Sequence, residues 1–128
     1  MTQENKDKLI KYLCAALPYD TIVSVAEGGI DGIQWNNVSL NAYLIHEVEE
    51  NNAWEYIKPY LRPMSSMTEE EKKEYELLAN RTMANSVGFV HFEATELIEW
   101  LLKKHFDFLG LIPMDCAIDC TDLDIYKD

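Results

Sequence analysis

Thr21-Ile22-Val23-Ser24-Val25 is the stretch on which the fold turns. It is rich in β-branched residues, with Ile22 and Ser24 on one face and Val23 and Val25 on the other, the alternation of a strand. Upstream, Leu9, Ile10, Leu13, Ala16 and Leu17 recur at three- and four-residue spacing, which predicts an N-terminal helix. Pro18 disfavours helical geometry at Leu17 and should end it there. Downstream, Gly28, Gly29 and Gly32 break the strand pattern, and Ile33-Gln34-Trp35 reads as a second strand. Asn36-Asn37 can supply the two positive-φ residues of a type I′ turn, after which Val38 to Ile45 reads as a third. The expectation is a three-stranded antiparallel meander.

The remainder alternates loops with helices. Glu47 to Asn52 is polar and reads as a loop, while Trp54 to Leu61 fits a short strand or a helical turn, with Pro59 against either. Thr68 followed by Glu71 forms a capping box, and Glu69 precedes Lys73 by four residues, the favourable ion-pair order. A surface helix is expected over about 69–81, with a thin apolar stripe of Tyr75, Leu78 and Ala79. Asn80 to Phe92 reads as a connection with an extended stretch at Val87 to His91. A last helix buries Leu97, Ile98, Leu101 and Leu102, with Glu96 and Glu99 early, Lys103 and Lys104 late, and Gly110 suited to end it. Beyond Pro113 lies an acidic tail with a candidate edge strand at Ala117 to Ile118. The class is therefore α+β: an N-terminal helix, a small antiparallel sheet, two later helices and an acidic C-terminal segment, in a single domain over 1–128.

Composition narrows the function. The 128 residues carry 11 Lys and Arg against 23 Asp and Glu, a net charge of −12, with 48% hydrophobic residues. That apolar content is too high for a disordered chain, and the acidic balance argues against direct nucleic-acid binding. The N-terminus is polar with no signal-peptide core, and no run reaches the roughly 18 apolar residues of a membrane span. Three cysteines, Cys14, Cys116 and Cys120, make an odd set for disulfides, and a reduced, cytoplasmic protein is expected.

Candidate chemistry is sparse. His91-Phe92-Glu93 with Cys116 and Cys120 resembles the His-x-Glu and Pro-Cys-x-x-Cys signature of zinc deaminases. Here Pro113 is not adjacent to Cys116, and three residues separate the cysteines. Two buried apolar thiols explain the pair without a metal. Asp115, Asp119, Asp122, Asp124 and Asp128 fail the calcium-loop spacing and read as a solvated tail. Cys14 with His46, His91 or His105 would make a thiol–imidazole pair, but Cys14 is expected on the inner side of the first helix, where a thiol is inert. His105 is placed to meet the last carbonyls of its helix. Gly28-Gly29-x-x-Gly32 lacks both the P-loop Lys and the Rossmann spacing and reads as a β-turn. Arg62, between Pro59 and Pro63, is one of two arginines. With Tyr60, Ser65 and Ser66 it forms the candidate binding group, for an anion or a partner carboxylate; the competing account is an internal salt bridge pinning the loop.

The segment Lys58-Pro59-Tyr60-Leu61-Arg62-Pro63-Met64-Ser65-Ser66-Met67-Thr68-Glu69-Glu70-Glu71 resembles small uncharacterised proteins encoded by phages, prophages and mobile elements of gut Bacteroidales. Leu13 to Tyr19 and His105 to Ile112 are similar to further segments of the same proteins, although Leu109 replaces a basic residue and the Cys116/Cys120 tail is atypical. The resemblance implies an origin and brings no site residues. The expected function is a non-enzymatic interaction or inhibitor protein. It would need no cofactor and no metal, and its protein partner is unidentified, of basic character if the acidic surface is what binds. Self-association stays open. The alternative is a small metal- or thiol-dependent enzyme using His91, Glu93, Cys116 and Cys120. Ten of the twelve units of net negative charge fall in residues 46–76 and 107–128, so a shared face for these segments would mark the partner surface.

Overall fold

The computed structural model describes residues 1–30, 33–84 and 90–126; side chains at 27–30, 33–36, 82–84 and 90–95 lie outside the description. The fold is α+β. Helix α1 (Gln3–Ala16) leads through a 3-10 turn (Leu17–Tyr19) into β1 (Ile22–Ile30) and β2 (Ile33–Ser39). Helix α2 (Ala42–Glu50), β3 (Ile57–Leu61), α3 (Glu69–Ala84), α4 (Val90–Lys103) and β4 (Ile118–Asp119) follow. The sheet order is β2-β1-β3-β4.

Helix α1 forms where expected. Thr2 accepts the Asn5 amide at 3.1 Å as its cap, and Leu9, Tyr12, Leu13 and Ala16 are fully buried. Cys14 was expected inside but is exposed. The inner face is filled by positions 9, 12, 13 and 16, and residue 14 points about 100° further round the helix.

The meander needs correcting. Strand β1 continues through Gly28 and Gly29 to Ile30, which pairs with Ile33; the other glycine of the expected turn, at position 32, lies outside the described residues. Asn37 does take a positive φ of 55°, but within β2. Pairing shifts from Val23↔Val38 to Val25↔Trp35, which gives β2 one extra residue there, so Asn37 serves a bulge. The expected third strand is instead the end of β2 and the start of α2. Asn41 accepts the Leu44 amide at 2.8 Å as an N-cap, and Leu40, Leu44 and Val48 are buried at four-residue spacing, the period of a helix. The loop expected over Glu47 to Asn52 is largely the rest of that helix.

The sheet has four strands and is mixed. Antiparallel β3 pairs Val23 with Pro59 and Val25 with Ile57, whereas β4 runs parallel to β3, Tyr60 beside Ile118. The chain leaves β3, crosses over through α3 and α4, and returns in the same direction, which a hairpin cannot do. The edge strand expected near Ile118 is this one.

The two later helices are longer than their sequence signals. α3 runs on to Ala84 and α4 begins at Val90, so both ends of the expected connection are helical, and 85–89 lie outside the described residues. On α4, Leu101 and Leu102 are buried, Leu97 is half-buried, and Ile98, expected inside, is 43% exposed. The helix stops at Lys103, before Gly110. His105 takes φ 62°, its amide donates to the Leu102 carbonyl at 3.1 Å, and the Phe106 amide donates to the Leu101 carbonyl at 3.0 Å. This is the Schellman pattern with histidine in the position glycine usually fills. Backbone groups close the helix, and the imidazole is left for another contact. Val23, Val25, Ile57, Leu61, Leu102 and Leu111 join α1 and α2 in one buried cluster.

Candidate functional site

The end of β3 is fixed from three sides. The Arg62 amide donates to the His105 carbonyl and the Asp107 amide to the Arg62 carbonyl, each at 2.8 Å, a separate parallel bridge to Phe106 just beyond β3. The Arg62 guanidinium lies 4.3 Å from the Phe106 ring centre, and Phe106 stacks on Trp100. Both terminal nitrogens of Arg62 reach Glu71, at 2.9 and 2.7 Å, a planar fork on a carboxylate. Glu71 also completes the capping box: its carboxylate accepts the Thr68 amide at 2.9 Å, and the Thr68 hydroxyl accepts the Glu71 amide at 3.2 Å. The Arg62 hydrogen bonds, with the Thr68 amide, hold the Glu71 carboxyl down at about 2.

Around this joint the surface opens into a cleft of about 1060 Å³, walled by Tyr19 and Asp20, Thr68 and Glu70, Lys103 to His105, and Tyr126. A smaller cleft of about 260 Å³ lies between Ser66, Leu123 and Tyr126. Arg62 and Tyr126 border both. The Tyr126 ring lies flat on His105, centroids 3.6 Å apart and planes within 6°. Burial, with the Arg62 charge beside it, pushes the His105 imidazole down to about 4, so it is neutral at physiological pH.

Of the candidate binding group, Arg62 and Ser66 reach the cleft edge, Ser65 is exposed and Tyr60 is buried. The Ser66 hydroxyl donates to the Pro63 carbonyl at 2.7 Å, and the carboxylate Arg62 grips is Glu71. Cys116 and Cys120 are 3% and 5% exposed, and burial pushes both thiols up. Among the described residues no three His, Cys, Asp or Glu side chains gather as a metal site; the side chains of His91 and Glu93 lie outside the description. His46 is exposed on α2, 4.0 Å from Glu50. Asp107 leaves the tail's acidic surface, since its two oxygens accept the Leu111 and Ile112 amides at 2.7 and 2.8 Å.

Five acids of the two charged segments lie in water near the junction of β3 and β4. Glu69, Glu70, Asp119, Asp122 and Asp124 are exposed. Pairing of β3 with β4 brings their segments side by side, and each cleft has one wall from each segment. Sequence reading did not find Tyr126; its only signal was an apolar pair, Ile125-Tyr126, in an otherwise aspartate-rich tail. No helix among the described residues is long and apolar enough to cross a membrane. Comparison with family models, curated proteins and solved structures finds no match to the chain.

Proposed function

We propose that the chain is a cytoplasmic, non-enzymatic binding protein, encoded by a phage or mobile element, that docks on a basic face of a host protein. The observation that carries this reading is the meeting of two acid-rich segments, 46–76 and 107–128, along β3 and β4. A surface so charged attracts a basic partner and competes with nucleic acid for it. The buried, raised thiols of Cys116 and Cys120 support a binding role over thiol chemistry there.

The test is capture from bacterial lysate with the native chain and with a variant carrying Glu69→Gln, Glu70→Gln, Asp122→Asn and Asp124→Asn. The reading expects a stoichiometric partner that salt and DNA release and that the neutralised variant fails to retain. A partner held equally by both proteins, or none at low salt, overturns it. Metal analysis addresses the alternative site: one equivalent of zinc, lost on Cys116→Ser, would replace the binding reading with a metal-dependent one.

A further inference from the structure

From Thr121 to Asp124 the chain is exposed, and Leu123 keeps 48% of its surface in water. Tyr126 ties this segment to the body. Its hydroxyl accepts the Ile22 amide at 2.9 Å and donates to the Tyr60 carbonyl at 2.8 Å, with the Ile22 carbonyl at 3.4 Å. Extending the register Val23↔Pro59, Ser24↔Lys58 by one step sets Ile22 opposite Tyr60, so the phenol bridges the β1–β3 ladder where Tyr126 enters it. The slot beneath the ring is built from β1, β3 and the turn that ends α4, all held by contacts of their own. One hydroxyl proton serves two carbonyls there. His105 is nine-tenths buried against the slot, and its Nδ1 has no hydrogen-bond partner among the described residues. The slot opens into a cleft on either side of the ring.

We infer that this slot is a binding site for a phenolic ring, and that residues 121–126 form a strap in which Tyr126 acts as the built-in competitor. The flat imidazole takes the ring face, and Ile22 with Tyr60 requires a hydroxyl that both accepts and donates. A ring without that hydroxyl leaves both backbone groups unpaired, which a buried site rejects strongly. A strap that fills the slot lowers the apparent affinity of an outside phenol by the fraction of time the slot stands open. The inference is independent of the acidic docking face.

The experiment is an NMR titration of p-cresol into the full chain and into Tyr126→Ala, following the Ile22 amide and the His105 ring. Both proteins should saturate, with Tyr126→Ala binding about tenfold or more tightly, and toluene should bind at least about tenfold more weakly than p-cresol. No saturable shift in the native chain up to the solubility limit, equal affinities in the two proteins, or equal binding of toluene would each overturn the inference. Should Tyr126→Ala fail to fold, Tyr126→Phe carries the comparison: it keeps the ring, loses the hydroxyl and should bind p-cresol more tightly than the native chain, and equal affinity refutes the strap. Tighter binding of N-acetyl-tyrosinamide than of p-cresol supports the site as one for a tyrosyl side chain, and the reverse supports it as one for a free phenol.

Discussion

Replacing Glu71 by Gln removes one charge and keeps the shape of the joint between β3 and α3. The amide oxygen still accepts the Thr68 N–H, so the capping box survives and the change reports on the Arg62 pair. Holding the carboxyl at about 2 instead of 4.5 corresponds by linkage to about 3 kcal/mol. The Arg62 side chain is 24% and the Glu71 side chain 12% exposed, so water screens part of this. About 2 kcal/mol is the expected loss at pH 7, above the 0–1 of a surface pair. The sign follows from the lowered value: the stabilisation is complete above pH 4.5 and disappears as pH falls towards 2. Near pH 3 the gap between native and Glu71→Gln proteins should shrink to about half or less. Urea unfolding of both proteins at a series of pH values between 7 and 3 measures it. A gap that is absent at pH 7, or that stays constant as pH falls, refutes the assignment of this stability to the ion pair.

Three further outcomes are expected. Asp107→Asn offers one acceptor where two amides now donate, and should cost about 1–2 kcal/mol in urea unfolding. Leu13→Ala, at a fully buried position in the core cluster, should cost about 2–5 kcal/mol by the same measurement. A thiol reagent should modify Cys14 alone in the folded protein and all three cysteines in denaturant, read as adduct mass; rapid labelling of Cys116 or Cys120 under native conditions would contradict their burial.

The features legible in the sequence are those set by neighbours in the chain. Thr68 and Glu71 sit three residues apart and make the capping box their spacing announces, and the helical period of Leu9 to Ala16 yields the buried face of α1. Val38 to Ile45 misled because its β-branched and apolar residues suit a strand, while Asn41 was a helix start whose evidence lay further on, at Val48. Asn37 did supply a positive φ, but a bulge and a turn ask the same of one residue, and only pairing across the sheet separates them. The candidate site was half legible. Arg62 stood out between two prolines, yet its partner Glu71 was already explained as a cap, and nothing local showed that it does both. Tyr126 meets Ile22 across 104 positions, a relation that no periodicity carries.

The parallel docking of β4 has a kinetic consequence. Tyr60 and Ile118 are 58 positions apart, with α3 and α4 between them, so this pairing closes the longest loop in the sheet. The β1–β2 pairs lie 3–17 positions apart and the β1–β3 pairs 32–36. Loop-closure entropy therefore places β4 after the folding nucleus: the three-stranded body and its helices assemble, and the C-terminal strand joins late. Substitutions at Ile118 should accordingly speed unfolding while leaving the refolding rate nearly unchanged, the mark of a contact absent from the transition state.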